Sequence, residues 1–186
     1  MTSPTLPSTA RGLYTPLYEL SSGYRGTVFI CRPSTPEHSP QQHPLVALKV
    51  LKPTPLKPTA AQSRTATLTA LKAAQQQQRS NIPQLLDLSH ASAARSAWYT
   101  MSLIQGCTLA QFAAAYAQPL PFPLVFHVFA ELLAAVRFLH AAGRVHDDLG
   151  AGNVMLEWPG GGGEWPGVVL VDVDDLRETS ARRPNG

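Results

Sequence analysis

Charged residues are scarce in this chain: Asp, Glu, Lys and Arg make up 15% of its 186 residues, against about 25% in typical globular proteins. Its two cysteines, Cys31 and Cys107, form neither a Cys-x-x-Cys pair nor a metal-ligand spacing, which argues against a zinc ribbon or a disulfide scaffold. Residues 1–12 contain no apolar stretch typical of secretory signals, and no uninterrupted apolar run reaches the about 20 residues that span a membrane. These absences predict a cytoplasmic protein with no membrane segment.

Acidic residues are rare in the first 146 positions, which carry 12 basic and 4 acidic residues, whereas residues 147–186 carry 3 basic and 8 acidic residues. The formal charges of the two parts are therefore +8 and −5. A basic part suits a polyphosphate and an acidic part suits a divalent cation, although ordinary solvated surfaces explain the same pattern. No basic run is interleaved with aromatic residues, so nucleic acid is not a predicted partner.

Residues that favour extended backbone recur through the first hundred positions. The predicted strands are the two halves of LYELSSGYRGTVFICR (17–32), LVALKVL (45–51), QLLDLSH (84–90) and AWYTMSLI (97–104). A helix is predicted over residues 62–78, and residues 1–12 are interpreted as a disordered leader.

Helices are predicted for the middle of the chain. Thr108 and Gln111 have the spacing of a capping box, so a helix starts there. A longer helix over 124–142 carries apolar residues at helical spacing and stops at Gly143. Its apolar stripe is wider than that of a surface helix, so we expect it to be covered on most sides.

Two polar motifs follow this helix. The stretch VHDDLGAGNVML (145–156) contains a histidine, two aspartates and an asparagine, and VVLVDVDD (168–175) is an apolar strand that ends in aspartates. Taken alone, Asp148 and Asn153 are compatible with turn or capping residues, and Gly23 and Gly26, near the start of the chain, with a hairpin turn. A lone lysine in a strand, such as Lys49, is equally compatible with an edge residue.

Taken in order, these motifs resemble the protein kinases over residues 14–175. The stretch His146, Asp148, Leu149 and Asn153 matches the catalytic-loop pattern His-x-Asp-Leu-x-x-x-Asn, and VALKV matches the strand that carries the nucleotide-binding lysine. Ser21, Gly23, Gly26 and Val28 occupy the positions of the glycine-rich loop, with its first glycine replaced. Asp172 occupies the position of the metal-binding aspartate, where this chain has Asp-Val-Asp in place of Asp-Phe-Gly.

The resemblance implies a kinase-like α+β fold. Its N-lobe, over residues 13–104, would contain a five-stranded antiparallel sheet and one helix. A partial, mainly helical C-lobe would cover residues 105–176, followed by a tail over 177–186.

The resemblance also implies ATP and Mg²⁺ as ligands, because phosphoryl transfer depends on positioning phosphates and neutralising their charge. Lys49 would contact the α- and β-phosphates, Asn153 and Asp172 would hold Mg²⁺, and Asp148 would orient or deprotonate the acceptor hydroxyl. His146 would be structural. The implied ATP-binding residues, in a cleft near residues 101–106, are Gly23, Gly26, Val28, Ala47, Lys49, Met101, Ser102 and Leu103. Met101 would lie at the back of this cleft, and backbone groups of residues 102–104 would face the adenine.

Three positions depart from the family pattern. Thr67 occupies the place of the helix glutamate that holds the lysine, and no acidic residue lies between Lys49 and Asp87. Gly150 replaces the lysine that follows Asp-Leu in serine/threonine kinases, and Asp147 replaces the arginine before the catalytic aspartate. That arginine usually binds an activation-loop phosphate, so regulation of that kind is not expected here.

Only 14 residues follow Asp172, so the resemblance implies a shortened C-lobe that lacks the later helices. The apolar helix over 124–142 would then lack part of its cover, which favours self-association.

Three functions are compatible with these residues besides phosphorylation of a protein hydroxyl. One is a pseudokinase-type module that binds nucleotide or protein without catalysis. Another is a phosphotransferase for small molecules, similar to the aminoglycoside and choline kinases, which also lack the lysine after Asp-Leu. The third is a haloacid-dehalogenase-type phosphatase with Asp172 as nucleophile and Asp174 as acid/base, although Leu176 departs from that motif.

Overall fold

The computed structural model describes residues 5–35, 44–52, 60–78, 80–89, 97–158 and 165–179. Its contacts divide the chain into two units. Unit 1 comprises Met1–Gln76 and Pro83–Leu103, and unit 2 comprises Gln77–Ile82 and Ile104–Gly186. Residues 1–4 of the expected leader and 180–186 of the expected tail lie outside the described residues.

Unit 1 is built on the expected five-stranded antiparallel sheet. Its strands, in the spatial order β1-β2-β3-β5-β4, are β1 (Tyr14–Ser22), β2 (Gly26–Pro33), β3 (Val46–Leu51), β4 (Leu85–Leu88) and β5 (Trp98–Ser102). The β-branched and aromatic residues of β2 and β5 favour the extended backbone that they adopt.

The pairing register sorts the residues of this sheet onto two faces, because directly paired residues lie on the same side. One face carries Val28, Lys49 and Tyr99, which are register partners, and Ile30, Ala47 and Met101, which are also partners. The opposite face contributes Phe29, Cys31, Val46, Leu48 and Trp98 to the hydrophobic core. Lys49 therefore lies on the face away from this core cluster.

The N-terminal segment covers the core face of the sheet. Leu6 and Ala10 belong to the core cluster and are 2% and 0% exposed. The Trp98 Nε1–H donates to Thr9 Oγ1 at 2.8 Å, and Arg11 Nε donates to the Leu6 carbonyl at 2.7 Å. The expectation of a disordered leader is therefore wrong for residues 5–12. The apolar side chains of this segment pack against the sheet. The segment is too short to show a hydrophobic periodicity, so its burial could not be predicted from the sequence.

The helix of unit 1, α1 (Ala60–Gln75), packs against β4. Leu68 and Leu71 are buried on its inner side, as expected from their helical spacing. Its last turn is held by Gln75, whose Oε1 accepts from the Leu85 amide and whose Nε2 donates to the Pro83 carbonyl, both at 2.9 Å. The helix predicted over 62–78 is confirmed, but it ends earlier.

The described residues of unit 2 form two further helices and five short strands. They are β6 (Gly106–Thr108), α2 (Leu109–Ala115), α3 (Phe122–Ala141), β7 (Arg144–Val145), β8 (Val154–Glu157), β9 (Gly167–Leu170) and β10 (Arg177–Glu178). Strands β6, β8 and β9 form an antiparallel sheet in that order, and β7 pairs with β10. The capping box is confirmed, since Thr108 Oγ1 accepts from the Gln111 amide at 3.1 Å and Gln111 Oε1 accepts from the Thr108 amide at 2.8 Å.

Asn81 connects three parts of unit 2. Its Nδ2 donates to the Glu131 carboxylate at 2.6 Å and to the Glu131 carbonyl at 3.1 Å on α3. Its own carbonyl accepts from the Leu170 amide at the end of β9 at 2.8 Å. This residue therefore fixes α3 and β9 relative to each other.

Helix α3 is buried on one side only in the described part of the chain. Leu124, Val128, Ala135, Phe138 and Leu139 are buried, whereas Phe122, Phe126 and Phe129 are 79%, 69% and 63% exposed. The expectation of cover on most sides is thus wrong within the described residues, and self-association through the exposed side stays a prediction. By length and composition α3 is also the one described helix that could cross a membrane, a property that core helices of soluble proteins share.

Candidate active site

The expected glycine-rich loop is the tight turn between β1 and β2 in unit 1. The Gly23 amide donates to the Gly26 carbonyl at 2.9 Å, and Ser22 Oγ lies 3.0 Å from Thr27 Oγ1. A side chain at Gly26 would place its Cβ 2.5 Å from the Val50 carbonyl oxygen and 3.3 Å from Lys49 Cε. Glycine at this position therefore lets β2 lie directly against β3 and the lysine stem.

Lys52, the residue directly after β3, binds this loop, and the sequence analysis did not identify it. Its ammonium donates to the Gly23 carbonyl at 2.8 Å and to Ser22 Oγ at 3.3 Å, and its amide donates to the Arg25 carbonyl at 3.0 Å. Lys52 therefore places a second ammonium group near this loop, in addition to that of Lys49 on β3. The only sequence signal for this role is that Lys52 follows Lys49 by three positions in the motif VALKVLK.

Four of the expected nucleotide-binding residues share one face of the sheet. Val28 and Lys49 are register partners, and Ala47 pairs with Met101. Lys49 is 6% exposed. Its burial leaves the side chain with little rotamer freedom, which would suit a fixed phosphate contact.

The structure limits the expected adenine contacts at the end of β5. The Ser102 amide donates to the Gln84 carbonyl at 2.9 Å, and Ser102 Oγ accepts from the Gln84 amide at 3.0 Å. Both Ser102 groups are thereby used within unit 1. The Ser102 amide is therefore already engaged as a donor inside the sheet.

The catalytic-loop motif in unit 2 folds around Asn153. Its Nδ2 donates to the Asp148 carbonyl at 2.9 Å and to Asp148 Oδ2 at 3.2 Å. Its amide donates to the Gly150 carbonyl at 2.9 Å, which closes the short 3₁₀ turn over Ala151–Asn153. Because the Asn153 Nδ2 group donates both of its hydrogen bonds to Asp148, the Asn153 Oδ1 atom faces away from the Asp148 carboxylate.

The β8–β9 hairpin brings Asn153 and Asp172 to the same end of the sheet. Val154 pairs with Leu170, and the Val171 amide donates to the Asn153 carbonyl at 2.9 Å. An amide oxygen and a carboxylate are oxygen ligands of the kind that Mg²⁺ prefers. These two residues fit the expected metal pair, although no group of three or more His, Cys, Asp or Glu side chains occurs in the described ranges. Further oxygens would have to come from a nucleotide or water.

His146 joins the catalytic loop to the end of β9. It is 4% exposed, and its Nε2–H donates to the Val171 carbonyl at 2.9 Å. It contacts the residue directly before Asp172. This placement agrees with the structural role that the kinase resemblance implies.

The three departures from the family pattern occupy different environments. Thr67 is 2% exposed on the buried side of α1. Asp147 adopts a left-handed backbone with φ of 55°, and Asp172 does so with φ of 66°. Gly150 is exposed, and a Cβ there would meet nothing within 4 Å.

The fold and these two groups of residues define a protein kinase-like domain. The model of the protein tyrosine and serine/threonine kinase family matches residues 15–161, which is most of the chain. The chain therefore belongs to this family, and the predicted kinase-like α+β fold is confirmed. A search of curated proteins found no match.

Family membership overturns the phosphatase alternative. The strand before Asp172 is one half of an antiparallel hairpin with β8, in a three-stranded sheet of unit 2.

Proposed function

We propose that this domain transfers the γ-phosphoryl group of ATP to a protein hydroxyl with Mg²⁺ as cofactor. The observation that carries this proposal is the hydrogen-bonded set of Asp148, Asn153 and Val171, which holds the expected base next to the expected metal ligands. Preorganised side chains of this kind supply most of the catalysis in phosphoryl transfer.

Each group has a chemical role in this proposal. Lys49 and the glycine-loop amides bind phosphate oxygens, and Asn153 Oδ1 and the Asp172 carboxylate hold Mg²⁺, which neutralises phosphate charge. Asp148 Oδ1 or Oδ2 accepts the proton of the acceptor hydroxyl or orients it. The bond from Asn153 Nδ2 keeps the Asp148 carboxylate in one orientation.

The first test is thermal unfolding of the purified domain with and without Mg²⁺-ATP, beside Lys49→Met and Asp172→Asn. Methionine preserves the buried stem at Lys49, and asparagine tolerates the left-handed backbone of Asp172. A ligand at 100 times its dissociation constant adds about 2.7 kcal/mol of stability. We expect a metal-dependent shift in the wild type that both variants lose; an equal shift in all three would contradict the proposed site.

The second test is transfer of labelled phosphate to peptides that contain Ser, Thr or Tyr. Asp148→Asn should keep the oxygen that accepts from Asn153 but lose the proton acceptor, so ATP binding should persist while transfer falls by about 10²- to 10⁴-fold. Arg137→Gln, which changes an exposed residue of α3 outside the proposed site, serves as the control.

A pseudokinase-type module is the second candidate, and the observation that favours it is Thr67. A buried threonine at the position of the helix glutamate cannot form the ion pair that positions the lysine in active kinases. This candidate would be selected if the domain binds ATP but transfers phosphate neither to peptides nor to small hydroxyl and amino compounds such as choline and aminoglycosides.

A further inference from the structure

Four charged residues meet where β10 pairs with β7, directly beside the catalytic loop. Arg144 and Glu178 are register partners, and their side chains form an ion pair at 2.6 Å. Arg177 pairs in register with Val145 and forms a second ion pair with Asp147. The two pairs have opposite polarity: β10 supplies the cation Arg177 and the anion Glu178, whereas the cation Arg144 lies on β7 and the anion Asp147 follows that strand.

The second pair inverts the charges that the kinase resemblance implies. In that pattern an arginine stands before the catalytic aspartate and binds a phosphate carried by the segment after the metal-binding aspartate. Here the catalytic loop supplies the carboxylate of Asp147, and the segment after Asp172 supplies the guanidinium of Arg177. The attraction between the same two segments therefore requires no phosphate.

The backbone explains why this contact matters at Asp147. Non-glycine residues hold a left-handed conformation only where surrounding contacts maintain it. Asp147 has φ of 55° and its side chain is bound by Arg177. Asp172 has φ of 66°, and the segment that follows it is anchored at its far end by β10 and by the Thr179 amide, which donates to the Gly143 carbonyl at 3.0 Å.

We propose that Asp147 and Arg177, supported by Arg144 and Glu178, form a charge clasp that orders the segment after Asp172 without phosphorylation. Asp147 is a positioning residue, since it acts on Asp172 through β10. The existence of the clasp is inferred from the ion pairs alone, whereas its effect on Asp172 as a metal ligand rests on the proposed function.

The test is amide hydrogen exchange at Thr179 in unphosphorylated protein, verified by mass spectrometry. The variants are Asp147→Asn, which tolerates the left-handed backbone, Arg177→Gln, and the two combined. Arg137→Gln removes an exposed cation elsewhere in unit 2 and is the matched control. The Val171 amide, bonded within the β8–β9 region, reports whether the variants remain folded.

We expect Thr179 to be protected in the wild type and each single variant to raise its exchange rate by about 2- to 5-fold, the range for exposed ion pairs. The double variant should exchange no faster than the single variants. Salt at 1 M should raise the wild-type rate by a larger factor than that of Asp147→Asn, which retains only the Arg144–Glu178 pair. An unprotected Thr179, fully additive effects, or an equal effect of Arg137→Gln would overturn the clasp.

Mg²⁺-ATP binding separates this inference from the proposed function. If the wild type binds, the affinity of Asp147→Asn should fall by the same factor as the ordered fraction of the segment after Asp172, which the protection of Thr179 measures. An affinity that does not follow this fraction would overturn the positioning role. A wild type that does not bind ATP would overturn the proposed function, while the exchange results would still decide the clasp.

Discussion

Gly26→Ala tests the close approach of β2 and β3 that shapes the glycine loop. The added Cβ would lie 2.5 Å from the Val50 carbonyl oxygen, which is a backbone atom and cannot rotate away. It would also lie 3.3 Å from Lys49 Cε. The strands must therefore separate, which weakens the ladder that joins them.

The expected loss follows from the cost of overpacking. Extra methyl groups in a close-packed site destabilise by about 1–3 kcal/mol, and we take about 2 kcal/mol for a clash with one fixed atom. For a protein of this size, that loss lowers the unfolding midpoint by about 4–8 °C. Because φ at Gly26 is not in the left-handed region, no backbone strain adds to the loss.

Gly23→Ala is the matched control in the same loop. A Cβ at Gly23 meets nothing within 4 Å, so this variant should be neutral or more stable by about 0.4–1 kcal/mol through its effect on the unfolded chain. Unfolding should be followed by fluorescence in a background of Trp158→Phe and Trp165→Phe, which leaves the buried Trp98 as a probe of unit 1. Equal midpoints for the two alanine variants would refute the reasoning.

Two predictions concern the core face of unit 1. Burial raises the pKa of the Cys31 thiol to about 12, so iodoacetamide at pH 8 should alkylate the half-buried Cys107 and spare Cys31 in the native protein; peptide mass spectrometry showing equal labelling would contradict this. Burial, opposed by the hydrogen bond with Thr100, raises the pKa of Tyr14 to about 12 from 10.0. The folded state therefore favours the neutral phenol, and the free energy of unfolding should fall as pH rises from about 10 to about 12. Urea titrations should show a smaller fall in Tyr14→Phe, and an equal fall would count against this assignment.

Elements with a local signal were predictable from the sequence. The five strands of unit 1 follow from residues that favour extended backbone, and the capping box of Thr108 and Gln111 is a local pattern that forms as expected. The catalytic loop was recognisable because His146, Asp148 and Asn153 lie within a few positions of each other. Short-range spacing was sufficient for each of these features.

Features that depend on distant partners were not predictable. Strands β7 and β10 have two residues each, too few to display a period, and they are joined by ion pairs between residues far apart in sequence. The burial of Leu6 and the use of the Ser102 amide by Gln84 likewise depend on tertiary neighbours. In each case the role of the residue depends on a contact with a residue far away in sequence, and no local sequence pattern predicts that contact.

Gly150 offers a gain of function that separates a weak kinase from a pseudokinase. The position is exposed, its φ of −151° suits any residue, and an added Cβ meets nothing within 4 Å. Gly150→Lys should therefore fold normally and restore the cation that follows Asp-Leu in serine/threonine kinases. A cation near the transferred phosphate stabilises developing charge, so we expect kcat for peptide phosphorylation to rise by about tenfold or more.

Gly152→Lys controls for added charge, because it is also exposed and free of contacts for a Cβ. Both variants change the net charge equally, yet only the lysine at 150 occupies the family position. An increase confined to Gly150→Lys would mean that the remaining residues, Asp148, Asn153 and Asp172, already form a competent set that lacks one charge. Equal increases in both variants would attribute the effect to general electrostatics, and a wild type with measurable transfer that neither lysine improves would contradict the role assigned to this position. Absence of transfer in all three proteins would direct attention to Thr67, since a missing ion pair at Lys49 would then limit the reaction before the γ-phosphate charge becomes important.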